Sequence, residues 1–154
     1  MRTSWLALAI LALVAGGCES LGGPQRLIAD LQLRGLPAKL GTDFDPALLG
    51  GDGTVVCVGA ETLEVYDFTD PEAAADAAAT VDPNDPSNVG NAIVEWIGPP
   101  RFWLRDEAIV MYVGDERAVD GALRAILGQP FAEQVGFEGR ALPGHLQRDC
   151  QPQS

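Results

Sequence analysis

The sequence has one histidine, His145, and three cysteines in 154 residues. A single histidine excludes a metal centre built on several imidazoles. Beyond the first 17 residues the serines are Ser20, Ser87 and Ser154. None lies in a G-x-S-x-G turn, so a serine nucleophile of that kind is absent. Basic residues are scarce, with 10 Lys and Arg against 22 Asp and Glu, for a formal net charge of −12. That balance excludes the clustered cationic surface that holds nucleic-acid phosphates. It equally excludes an electrostatic grip on anionic lipid. Gly50-Gly51-Asp52-Gly53 lacks the Lys-Ser/Thr of a phosphate-binding loop, and no other motif calls for a cofactor. No apolar run reaches the ~20 residues that a membrane-spanning helix needs.

What is present suits one packed domain. Hydrophobic residues make up 47% and charged residues 21%, which is ordinary globular composition. The N-terminus stands apart. Met1-Arg2 opens a short positive segment, Trp5 to Val14 is uninterrupted and apolar, and Ala15-Gly16-Gly17 precedes Cys18. A charged start, an apolar run of about 7–15 residues and small residues before a cleavage point form a secretory pattern. With the cysteine in the same frame, residues 1–17 resemble a bacterial lipoprotein signal. The resemblance implies a diacylglyceryl group on the Cys18 thiol, cleavage before Cys18, and fatty acylation, palmitate among the usual chains, of the new amino terminus. It implies an exported protein, lipid-anchored in the bacterial cell envelope, at the outer membrane or periplasmic face if the cell is Gram-negative. Glu19 is not the Asp that favours inner-membrane retention in some of these bacteria. Residues 18–24 then form a tether; its six residues after Cys18 span at most ~20 Å.

An exported compartment is oxidising, so Cys57 and Cys150 are expected to pair as a disulfide. Cys57 lies in a strand-like run, and the bridge would staple the tail, residues 133–154, onto the domain at 25–132. The alternative is a reactive Cys57 thiol with His145 as its partner.

Local patterning predicts helix over Pro24–Arg34, with Leu27, Ile28 and Leu31 on one face and Gly35 as the stop. Strands are expected at Leu36–Thr42, Val55–Val58 and Thr62–Phe68, with a loop over Asp43–Gly53. Asp70-Pro71-Glu72 reads as N-cap, first turn and dipole-favoured acid of an Ala-rich helix. Asn91–Ile97 reads as a strand. Phe102–Leu104 and Ala108–Val113 read as a hairpin. A last helix starts at Asp115 as cap, pairs Asp120 with Arg124, and ends at Gly128. The fold class expected is α+β, a mostly antiparallel sheet with about three helices packed on one face.

The segments LEVYDFTDPEAAADAA (63–78), GPPRFWLRDEAIVMYVGD (98–115) and LRAILG (123–128) look like a family of small bacterial lipoproteins for which no activity is assigned. Arg101 stands where those relatives often carry His. Cys57 and Cys150 look like additions to the common pattern, which supports their pairing.

The Asp82–Asn88 loop is rich in oxygen ligands but lacks EF-hand spacing and reads as a connector. Carboxylate neighbours such as Glu61/Glu64 and Asp106/Glu107 arise from composition alone and receive no role. Aromatics beside Arg dominate protein-binding hot spots, which makes Trp96, Pro99, Pro100, Arg101 and Trp103 the candidate surface. Against it stands a packing role, with Trp96 and Phe102 in the core and Trp103 partly exposed. The functional expectation is a non-catalytic binding or accessory domain, held to the membrane through Cys18, with a protein or other envelope component as partner. The alternatives are a small-ligand carrier, which needs a cavity of roughly 300 Å³ or more, and a carboxylate-dependent hydrolase, which needs two convergent buried acids.

Overall fold

The computed structural model describes residues 23–137 and Cys150. The signal-like segment, Cys18, the tether up to Gly22, His145 and most of the tail lie outside the described residues.

The order is α1 (Gly23–Leu33), β1 (Ala38–Phe44), β2 (Asp52–Val58), β3 (Glu61–Asp67), α2 (Pro71–Ala78), β4 (Asn88–Val89), β5 (Ala92–Ile93), β6 (Pro100–Arg105), β7 (Ala108–Val113), α3 (Arg117–Leu127) and β8 (Ala132–Glu133). Six strands form one sheet in the order β1-β2-β3-β7-β6-β8. Every pairing in it is antiparallel. The α+β class expected from the sequence is the architecture found.

Two-residue turns set the hairpins. Val58 faces Glu61, and Gly59 supplies the positive φ of 63° that such a loop needs at its first central position. Arg105 faces Ala108, and Asp106 takes φ 52°, which short polar side chains tolerate. The Asp70 carboxylate accepts from the Ala73 amide and caps α2, with Pro71 in the first turn. In α3 the cap is Glu116, whose carboxylate accepts from Ala118. The helix therefore starts one residue later than an Asp115 cap implies.

β7 carries apolar residues along its whole length because both of its faces are covered. Ala108, Val110 and Tyr112 meet Leu27 and Leu31 of α1 and Val119 and Leu123 of α3. Ile109 and Met111 meet Ala77 and Ala78 of α2 on the other side. The three helices are thus divided between the faces, which corrects the expectation of one helical face. The same covering corrects Trp103. Alternation along β6 sends Phe102 and Trp103 to opposite sides, yet both are fully buried, Trp103 under α1 and α3. Its indole Nε1 donates to the Gly128 carbonyl at 3.0 Å.

Asn91–Ile97 is not one strand. Asn88–Val89 and Ala92–Ile93 form a separate two-stranded ribbon. Val94 and Trp96 then leave the ladder and pack against the α2-face core. Ion pairs hold α1 to one end of the β6–β7 hairpin, Arg26 to Asp106 at 3.0 Å and Arg105 to Asp30 at 2.7 Å. Cys57 and Cys150 form the expected disulfide, 93 residues apart in sequence, against Val55 and Phe44 on the α2 side. No helix among the described residues is long and apolar enough to cross a membrane.

Candidate functional site

The α2 face is not filled from edge to edge. Beside α2, a groove of about 360 Å³ opens over β3 and β7, a volume within the range of small-ligand sites. β3 contributes Glu64 and Tyr66, alternate residues that share a face. β7 contributes Met111, directly opposite Glu64 in the ladder, and Val113. Phe44 closes one side from the end of β1, and Trp96 and Ile97 close the other.

The aromatic walls are fixed by contacts of their own. Phe44 meets Tyr66 edge-on at 5.2 Å between ring centres. Trp96 meets Phe102 edge-on at 5.9 Å, and its indole Nε1 donates to the Pro86 carbonyl at 3.1 Å. At the floor, the Tyr66 hydroxyl donates to Glu64 Oε2 at 2.7 Å. Burial raises the Glu64 carboxyl above the ordinary carboxylate range, and the Tyr66 hydrogen bond partly offsets it. Burial, followed by the adjacent Glu64 charge and hydrogen bond, pushes the Tyr66 phenol far up, so Tyr66 stays a neutral donor. Asp45 and Glu95 stand exposed at the rim. Among the described residues the lining contains no Lys, Arg, His, Ser, Thr or Cys. It can seat an apolar body and accept hydrogen bonds, and it holds no hydroxyl or thiol nucleophile other than the committed phenol. Among the described residues Glu64 is the one partly buried carboxylate of the lining, Asp45 and Glu95 being exposed.

The residues singled out in the sequence are dispersed. Trp96 belongs to the groove. Trp103 is buried on the opposite face. Pro100 is buried at the start of β6. Arg101 sits with its side chain 16% exposed and is consumed internally. Its Nη1 donates to the Gly114 carbonyl at 2.7 Å, and its Nε lies 3.2 Å from Asp120 Oδ1 as an ion pair without hydrogen-bond alignment. Arg124 bonds Asp120 in the expected i,i+4 pair and also reaches Glu133. This network ties β6, α3 and β8 together. Pro99 and Arg101 line a second recess with Asp115, Glu133 and Phe137, whose charged groups are largely spent on that network. The five residues therefore form no common surface.

The carboxylate neighbours also separate. Glu61 faces α3, where Tyr112 donates to it at 2.8 Å, whereas Glu64 faces the groove. In the Asp82–Asn88 loop, Asp82 accepts from the Asn84 amide, and Asp85 accepts from the Ser87 amide and the Asn88 side chain. These are turn contacts. The one local signal of the groove in the sequence is an acid and a tyrosine two positions apart on one strand face, Glu64 and Tyr66.

No family model, no curated protein and no solved structure matches the chain.

Proposed function

We propose that this protein is an exported lipoprotein, anchored through lipid on Cys18, whose folded domain is a non-catalytic binding module with the groove over β3 and β7 as its receptor. The observation that carries the reading is the groove itself: about 360 Å³ of mostly apolar space left open on the α2 face of the sheet. The N-terminal pattern from Met1 to Cys18 supports the anchor, as does the likeness of the 63–128 segments to small bacterial lipoproteins. The Cys57–Cys150 disulfide suits an oxidising envelope compartment. The start of α1 at Gly23 leaves a tether of a few residues, which would hold the groove close to its membrane. The small-ligand carrier is the form of this reading that the groove volume favours over a flat protein-docking patch.

Photocrosslinking in the native cell tests the reading. A photoreactive residue at Glu95, on the groove rim, should give a discrete adduct with an envelope component. The same residue at Leu33, exposed at the end of α1 on the opposite face, should give none. Equal adducts from both positions, or none from Glu95, contradict it.

A further inference from the structure

We propose that the groove takes a small amphipathic cation, an apolar body carrying a primary ammonium or amidinium head that docks on Glu64. The inference rests on the binding-module reading and adds the chemistry of the occupant.

It follows from which hydrogen bonds the groove has left to offer. Its two aromatic side-chain donors are already spent, the Tyr66 hydroxyl on Glu64 Oε2 and the Trp96 indole on the Pro86 carbonyl. Among the described residues no donor reaches Glu64 Oε1. Among the described residues the lining supplies acceptors and three carboxylates, Glu64, Asp45 and Glu95, with no cationic side chain. A carboxylate or phosphate head would meet like charge with no side-chain donor to hold it. A neutral head would satisfy Oε1 but leave the charge unpaired. A cationic head does both, through a charge-assisted hydrogen bond in a site already partly stripped of water. The raised carboxyl of Glu64 has the same origin: its ionised form has lost hydration, which an entering cation restores. The walls of Phe44, Trp96 and Met111 cover the apolar body, and aromatic faces attract cations in addition.

The test compares three probes with one apolar body: 3-phenylpropylammonium, 3-phenylpropanol and 3-phenylpropanoate. Each is titrated into the purified protein while the indole N–H resonances of Trp96 and Trp103 are followed. Trp103, buried on the far face and bonded to Gly128, is the internal control. The ammonium should move Trp96 alone, with a Kd about tenfold or more below that of the alcohol, and the carboxylate should leave it in place. Glu64→Gln should bring the ammonium to the level of the alcohol while Trp103 stays put, which shows the fold retained. In the unaltered protein, ammonium affinity should fall as the pH is lowered through the Glu64 titration. If the alcohol or the carboxylate binds as tightly as the ammonium, the cation assignment fails and the groove remains a binding site. If none of the three moves Trp96, both readings fail. If Trp96 moves with protein concentration alone, the occupant is a second copy of this chain and the proposal is overturned.

Discussion

Tyr66 and Glu64 lie two positions apart on one face of β3, and the phenol leans along the strand to donate to Glu64 Oε2 at 2.7 Å. The pair places a hydrogen-bonded carboxylate under an apolar groove. A group whose folded-state titration lies above its unfolded value binds more protons folded than unfolded in the interval between the two. Stability then falls as pH rises through that interval. Glu64 starts from an unfolded value near 4.5. Urea midpoints should therefore decline from about pH 4.5 upward through the raised Glu64 titration. Glu64→Gln should flatten that part of the profile, and an unchanged slope in the variant would assign it to other groups.

The disulfide should matter through the unfolded chain. Cys57 and Cys150 are 93 residues apart, and closing a loop of that size removes up to about 4–5 kcal/mol of unfolded-state entropy in the chain model, with 2–4 kcal/mol typical. Replacing both cysteines by Ala should lower stability by about that typical amount. It should also steepen the urea dependence, because the freed unfolded chain exposes more surface. Equilibrium urea unfolding of the two proteins reads both effects.

The two indoles should behave oppositely. Trp103 is fully buried and satisfies the Gly128 carbonyl, so Trp103→Ala should cost about 3–5 kcal/mol. Trp96 is half-buried at the groove wall, and Trp96→Ala should cost less than half as much while abolishing binding of the ammonium probe. Thermal unfolding and calorimetric titration of the ammonium probe, which needs no Trp96 signal, separate the two roles. A Trp96→Ala protein that binds normally would remove that wall from the site.

The anchor is tested by intact-mass spectrometry of the protein from its native cells. The expected polypeptide starts at Cys18 and carries a diacylglyceryl group, with or without a further acyl chain. Cys18→Ser should leave Met1 to Gly17 uncleaved by the lipoprotein route and remove the diacylglyceryl mass. A native chain that starts at Met1 without lipid contradicts the placement.

Much of the fold was legible because its signals are local. Asp70-Pro71 marks the start of α2, Gly59-Ala60 fixes a hairpin, and the spacing of Val119, Ala122 and Leu123 defines the buried side of α3. The Cys57–Cys150 pairing is legible from the cysteine count once an exported chain is expected. Tertiary covering was not legible. Alternation along β6 gives no hint that helices shield both faces, so Trp103 reads as partly exposed when it is fully enclosed. Val94 and Trp96 continue a strand-like pattern, yet they pack onto the sheet from outside it. The groove was hidden for a related reason. Phe44, Glu64, Trp96 and Met111 come from four separate segments, and the pairings of β1 with β2, β2 with β3 and β3 with β7 and the fold-back after β5 bring them together.

The most direct measurement is the carboxyl carbon titration of Glu64 by NMR in the unaltered protein and in Tyr66→Phe. A carboxylate held in an apolar groove and steadied by one phenol should titrate above its ordinary 4.5, and higher still once the phenol donor is gone. A Glu64 midpoint at or below the ordinary value, unmoved by Tyr66→Phe, would contradict the account.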